Sequence, residues 1–139
     1  MSRILTFGVY DYFHLGHLRL FKQCKQHADY LIVATQNGEY IKKFKPDARV
    51  LYSTEERVEI LEALRIVDKV IVYDTVGVAA LEKIEKDVGF DILALGEDHI
   101  GARFDEITNW CGEHGKSVVR LKRTPGIASS EIKEELSKK

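Results

Sequence analysis

The sequence predicts an α/β fold, a single domain built on a five-stranded parallel sheet with helices on both faces. Three observations lead there. The chain has 139 residues, enough to bury one core and short for two domains. Short β-rich apolar runs alternate with amphipathic segments along its length, the pattern of repeated strand–helix–strand units. No repeat, low-complexity stretch or linker interrupts that pattern, and the 2 prolines, Pro46 and Pro125, fall where the chain otherwise reads as loop.

The strands are read at residues 4–10, 30–35, 69–73, 92–95 and 117–121, each too short for a helix. Helical patterns fill the intervals. Residues 18–28 turn Phe21 and Cys24 inward, and residues 55–64 turn Val58 and Leu61 inward behind Ser53 and Glu56 at capping-box spacing. Residues 78–88 turn in Leu81, Ile84 and Val88; a weaker pattern covers 104–111, and a last helix is read at 129–136. Sheets of this kind bind ligands at the carboxyl ends of their strands. Residues 9–17, 36–52, 95–105 and 122–130 fall at that edge. The second of these carries little periodic signal over about 17 residues, a length that marks a functional lid or a disordered loop.

Composition removes several function classes. With 21 Lys and Arg against 22 Asp and Glu, the net charge is −1, too little field for sequence-independent nucleic-acid binding. Any anion must meet a local cluster. No run approaches the roughly 18 apolar residues of a membrane helix, and the N-terminus has no leader pattern, so a cytoplasmic protein without membrane insertion is expected. Cys24 and Cys111 stand far apart in apolar-periodic segments and read as reduced core thiols.

Such a cluster is present in the first strand-to-helix turn, Gly8-Val9-Tyr10-Asp11-Tyr12-Phe13-His14-Leu15-Gly16-His17. A helix starting near Gly16 puts His14 and His17 on one side of its N-terminus, where free N–H groups and the helix dipole favour an anion. Gly16 lets a ligand approach the backbone closely. The alternatives are two surface histidines three apart, or a zinc pair, which lacks a third ligand at a recognisable spacing. In residues 36–52, Lys42, Lys43, Lys45 and Arg49 outnumber Glu39 and Asp47, a basic patch suited to a polyphosphate or simply a solvated loop. Near the C-terminus, Arg123-Thr124-Pro125-Gly126-Ile127-Ala128-Ser129-Ser130 runs from a strand into a helix. Its serines can cap that helix and offer hydroxyls to phosphate, and Arg123 adds a planar fork.

Taken together, these segments resemble the H-x-G-H nucleotidyltransferase superfamily, and within it the small bacterial glycerol-3-phosphate cytidylyltransferases. His14-Leu15-Gly16-His17 matches the first signature and Arg123 to Ser130 the second; Arg65-Ile66-Val67-Asp68-Lys69-Val70 is similar to their R-x-V-D-x-V segment, and Gly96-Glu97-Asp98 with Phe104-Asp105 to their G-D-D…F-D stretch. The likeness spans essentially the whole chain and implies a Rossmann-like fold. It implies that His14 and His17 contact the nucleotide phosphates and stabilise the transition state, with Lys43, Lys45 and Arg123 on the phosphates. Val9, Tyr10, Asp11, Gly16, Gly126, Ile127, Ser129 and Ser130 would complete the nucleotide site, Asp11 organising the first turn, while Arg65 and Asp98 would face the acceptor. Val9 and Tyr10 replace the usual Thr-Phe. Two Trp positions of those enzymes hold Val76 and His99, which leaves an acceptor site roomier or more polar than theirs.

The resemblance further implies CTP and a small phosphorylated acceptor as partners, Mg2+ accompanying the triphosphate, a homodimer, and CDP-glycerol for teichoic-acid or capsule polymers as product. Three other readings stand beside it. Another phosphorylated alcohol or another base, including adenylyl transfer as in FAD synthesis, keeps every motif. A class I aminoacyl-tRNA synthetase would need a lysine-serine signature, and a dinucleotide-binding domain would need G-x-G-x-x-G after the first strand; the chain has neither.

Overall fold

A computed structural model describes residues 2–11, 13–44, 50–97 and 99–122. The elements run β1 (Arg3–Gly8), α1 (Leu15–His27), β2 (Tyr30–Gln36), α2 (Gly38–Phe44), α3 (Thr54–Glu62), β3 (Lys69–Tyr73), α4 (Gly77–Asp87), β4 (Ile92–Gly96), α5 (Ala102–Glu113) and β5 (Ser117–Leu121). All five strands are parallel, in the order β3-β2-β1-β4-β5. β1 therefore lies at the centre, in register with β2 from Arg3 opposite Tyr30 to Gly8 opposite Thr35.

Each inner strand is apolar on both sides, as a sheet covered on both faces requires. Leu5, Ile32, Ala34, Leu93 and Leu95 pack against Ala80, Leu81 and Ile84 of α4 and Ile107, Trp110 and Cys111 of α5. Their neighbours Ile4, Leu31, Val33 and Ala94 pack on the opposite face against Phe21 and Cys24 of α1 and Leu61 of α3. Burial raises the Cys24 thiol to about 12 and the Cys111 thiol to about 11, so both stay protonated. The strand–helix alternation and the five strands follow the sequence pattern closely.

Three departures matter most. The first strand stops at Gly8 instead of residue 10, because Tyr10 adopts φ 59°, a left-handed turn that no strand residue can hold. Its ring folds back over Gly8, where a Cβ would come within 3.2 Å of Tyr10 Cζ. Residues 36–52 are not featureless: they contain α2, whose start is fixed by the Asn37 side chain accepting from the Glu39 N–H at 2.8 Å. The weak pattern at 104–111 extends to Ala102–Glu113, opening after Gly101 at φ 115°. The helix read at 129–136 lies outside the described residues, as do Pro46 and Pro125.

α3 is held where the sequence puts it: Ser53 Oγ accepts from the Glu56 N–H at 3.1 Å and Glu56 Oε1 accepts from the Ser53 N–H at 2.8 Å. Its inward stripe differs. Val58 is only half-buried, and the fully buried side chain beside Leu61 is Arg57.

Candidate active site

At the carboxyl edge of β1 the chain makes its left-handed turn at Tyr10 and enters α1 through His14. Apolar periodicity picks this helix up at residue 18 and the turn itself points to a start near Gly16; the structure starts it at Leu15, because the two histidines themselves cap it. His14 Nδ1 accepts from the Gly16 N–H at 3.0 Å, and the His14 N–H donates to His17 Nδ1 at 3.3 Å. The two rings stack with centroids 3.9 Å apart. In a neutral imidazole one nitrogen accepts and the other carries the proton. With both Nδ1 atoms accepting backbone N–H groups, each ring presents Nε2–H as its remaining donor.

His17 is further enclosed by Tyr10, edge-on at 5.2 Å, and by Phe13 at 5.3 Å, with Phe21 behind both. Burial in this aromatic setting, and then the neighbouring His14, push its pKa down from 6.5 to about 4. Near neutral pH, His17 is a hydrogen-bond donor and not a cation. The two rings thus present Nε2–H groups at the N-terminus of α1, the positive end of its dipole.

Asp11, buried at the turn, accepts from the Leu51 N–H at 2.9 Å and the Tyr52 N–H at 3.0 Å. It thus ties the far end of the 36–52 segment to the turn between β1 and α1. Lys43 lies exposed in the last turn of α2, on the same edge. Val9 contributes its carbonyl to the framework, and Gly16 is buried within the first turn of α1. Lys45, Asp98, Arg123, Gly126, Ile127, Ser129 and Ser130 lie outside the described residues.

Arg65 is placed elsewhere. It follows α3 and precedes β3, on the edge where the strands begin, next to Asp68, which receives the Leu31 N–H at 2.8 Å and pairs with Lys25 at 2.7 Å. It stands at the opposite end of the strands from His14 and His17, because α3 runs from the carboxyl edge back to the amino edge. Its exposed side chain does not join the site described above.

Sequence reasoning missed Arg57. This residue is 0% exposed and its Nη1 donates to the Val9 carbonyl at 2.9 Å, Thr35 Oγ1 at 2.7 Å and the Gln36 carbonyl at 2.8 Å. Nη2 reaches Thr54 Oγ1 at 3.3 Å, and that oxygen accepts from the Gly38 N–H at 2.9 Å. One guanidinium thus joins the ends of β1 and β2 to the starts of α2 and α3. A signal was available: Arg57 precedes Leu61 by four residues, on the same helical stripe.

On the other face of the sheet, a cavity of about 310 Å3 opens at the same edge. Its walls include Phe7 and Tyr73, in edge-to-face contact at 5.9 Å, with Ala80, Leu81 and Ile84 of α4 and Ile107 of α5. Val76, 40% exposed, stands in its wall at the start of α4. His99 does not enter it: its Nδ1 accepts from the Gly96 N–H at 3.0 Å and its ring stacks on Phe104 at 4.9 Å. Arg120 bonds the Gly96 and His99 carbonyls and steadies that turn.

A parallel α/β sheet with a histidine-capped helix at its carboxyl edge defines a nucleotide-binding domain of the H-x-G-H type, and known proteins narrow it further. The cytidylyltransferase-like family model matches residues 5–135, and the chain belongs to that family. It is 34% identical over 137 residues to glycerol-3-phosphate cytidylyltransferase of Bacillus subtilis, covering 99% of this chain and 98% of that protein. The Staphylococcus aureus glycerol-3-phosphate cytidylyltransferase is 37% identical over 138 residues, covering 98% and 96%. Among solved structures, the lipopolysaccharide core biosynthesis protein from Thermoplasma volcanium superposes with a TM-score of 0.69 at 23% identity, over 89% of this chain and 97% of that one. That last likeness is one of fold.

Proposed function

We propose that this chain transfers a cytidylyl group from magnesium-bound CTP to a phosphorylated alcohol, with glycerol 3-phosphate as acceptor, giving CDP-glycerol and pyrophosphate. The observation that carries this is the pair of Nε2–H donors fixed by His14 and His17 at the N-terminus of α1. An oxygen of the acceptor phosphate attacks the α-phosphorus; a P–O–P bond forms, and the bond to the β-phosphate breaks as pyrophosphate leaves. A phosphate monoester has its second pKa near about 6, so the nucleophile needs no general base. Catalysis reduces to aligning two anions and stabilising the charge that grows on the α- and leaving oxygens. His14 and His17 donate there without a proton being lost. Lys43 and Lys45 attract the phosphates, and Arg123, Ser129, Ser130 and the backbone at Gly126 and Ile127 hold the β- and γ-groups. Magnesium enters on the triphosphate, held by its oxygens and water.

Both glycerol-3-phosphate cytidylyltransferase relatives span nearly the whole chain, which supports glycerol 3-phosphate over other acceptors. The reading extends to a cytoplasmic homodimer whose product feeds a teichoic-acid or capsule polymer. The test is pyrophosphate release with four nucleoside triphosphates crossed against glycerol 3-phosphate, other phosphorylated alcohols and FMN. Turnover is expected with CTP and glycerol 3-phosphate; turnover only with ATP and FMN would overturn it.

A further inference from the structure

We propose that Tyr10 is a positioning residue for His17: its buried ring, held by a left-handed backbone, fixes the imidazole so that Nε2–H is presented to the reacting phosphate. The inference rests on cytidylyl transfer with His17 as donor, and adds a residue that acts through it. Four observations carry it.

The first is the backbone. Among the described residues, Tyr10 is the one residue other than glycine with a positive φ, 59°. Glycine, asparagine or aspartate would adopt that conformation more readily than an aromatic residue. Strain of this kind persists where its surroundings over-determine it, and here it points to a role for the side chain. Second, the ring has a made seat. It is 8% exposed and lies over Gly8, where a Cβ would come within 3.2 Å of its Cζ. It meets the fully buried Phe21 edge-on at 5.4 Å. β1 and the inward side of α1 thus hold it between them.

Third, this fixed ring bears on His17. The two rings cross at 82° with centres 5.2 Å apart, inside the edge-to-face range of about 4.5–7 Å. Phe13 at 5.3 Å and His14, stacked at 3.9 Å, complete the enclosure. The fourth observation is how little else orients the imidazole. Its Nδ1 receives the His14 N–H at 3.3 Å, longer than the usual range of about 2.7–3.2 Å. A bond that long tolerates a swing of the ring, whereas packing against a seated tyrosine does not. A donor to a growing oxyanion works within a narrow distance, and a misplacement of about 1 Å can cost on the order of a hundredfold in rate. The Tyr10 hydroxyl stands 3.4 Å from Thr6 Oγ1, too far for a strong anchor, so the ring and not the hydroxyl carries the role.

The experiment compares Tyr10→Phe and Tyr10→Leu by pyrophosphate release with CTP and glycerol 3-phosphate, and follows the His17 imidazole by NMR from pH 4 to 8. The titratable groups against His17 are His14 and Tyr10, and burial keeps the Tyr10 hydroxyl protonated throughout. Tyr10→Phe should stay within about threefold of the wild type in kcat and in KM for CTP. Tyr10→Leu should lower kcat about tenfold or more with little change in KM. Its His17 midpoint should rise by about one pH unit or more toward 6.5, as the imidazole leaves its enclosed setting. A folded Tyr10→Leu with near-full kcat would overturn the inference. So would an equal loss in Tyr10→Phe, which would put the role on the hydroxyl, or a loss of kcat with the His17 midpoint unmoved, which would make Tyr10 merely structural. Should Tyr10→Leu fail to fold, the wild type decides: ring-to-ring NOE contacts between Tyr10 and His17 are expected in the free and the CTP-bound protein, and their disappearance with CTP would overturn the proposal. Absence of pyrophosphate release by the wild type is a separate failure, that of cytidylyl transfer itself; the titration and the NOE contacts still test the hold on His17.

Discussion

At His17, an acceptor role at Nδ1 and a costly desolvation combine to keep one proton on Nε2 and a second proton off the ring. The folded chain resists protonating this residue down to about 4, while the unfolded chain takes up the proton near 6.5. Between those values the unfolded state binds more protons, so folding stability falls as pH drops through that window. Urea unfolding at pH 7, 6, 5 and 4 should show this fall, and His17→Gln should flatten the part due to this residue. Removing a pre-placed donor to a growing charge costs on the order of a hundredfold or more in turnover. His14→Ala and His17→Ala should each lower kcat by that amount with a smaller change in KM for CTP; a variant with near-full kcat has no place in the phosphate site.

Elements show what a sequence pattern can reveal and where it stops. Ser53 and Glu56 announce the start of α3 because a capping box is a local, four-residue signal, and the structure makes both of its bonds. α2 escapes the same reading, being 7 residues long with too few apolar positions for a period, although Asn37-Gly38-Glu39 carried its cap. The histidine pair was legible as a motif, but its capping geometry was not, since imidazoles rarely stand where Ser or Asp usually do. Arg57 was hidden by its charge. Patterning assigns arginine to solvent, and only the converging acceptors of Val9, Thr35 and Gln36 make its burial tolerable. Arg57→Met would leave the Gln36 carbonyl without this donor and the Val9 carbonyl with the Thr35 hydroxyl alone, and should cost about 3 kcal/mol or more in urea unfolding. The same variant should also lower activity under conditions where it is fully folded, because the ends of β1 and β2 beside the His14/His17 turn lose the guanidinium that joins them.

For the molecule as a whole, the alternation of strand and helix fixed the order of elements, and the two apolar faces of Ile4/Leu5, Ile32/Val33 and Leu93/Ala94 follow from it. The distribution of function over those faces is a tertiary fact that periodicity does not encode. Arg65 illustrates this: a motif match says nothing of where it stands, and the path of α3 carries it to the amino edge. No helix among the described residues is long and apolar enough to cross a membrane.

α1 with its histidines packs on one face of the sheet, and the cavity opens on the other, with the carboxyl end of β1 between them. In the cytidylyl transfer proposed above, the acceptor oxygen attacks the α-phosphorus opposite the leaving phosphates, and the substitution runs in a straight line through one step. Such a substitution leaves a handedness behind. With CTP made chiral at its α-phosphorus by sulfur, the nucleotide-linked product should carry the inverted configuration. Retention would require two displacements, and with them a covalent nucleotidyl intermediate on the protein that this two-sided arrangement does not call for.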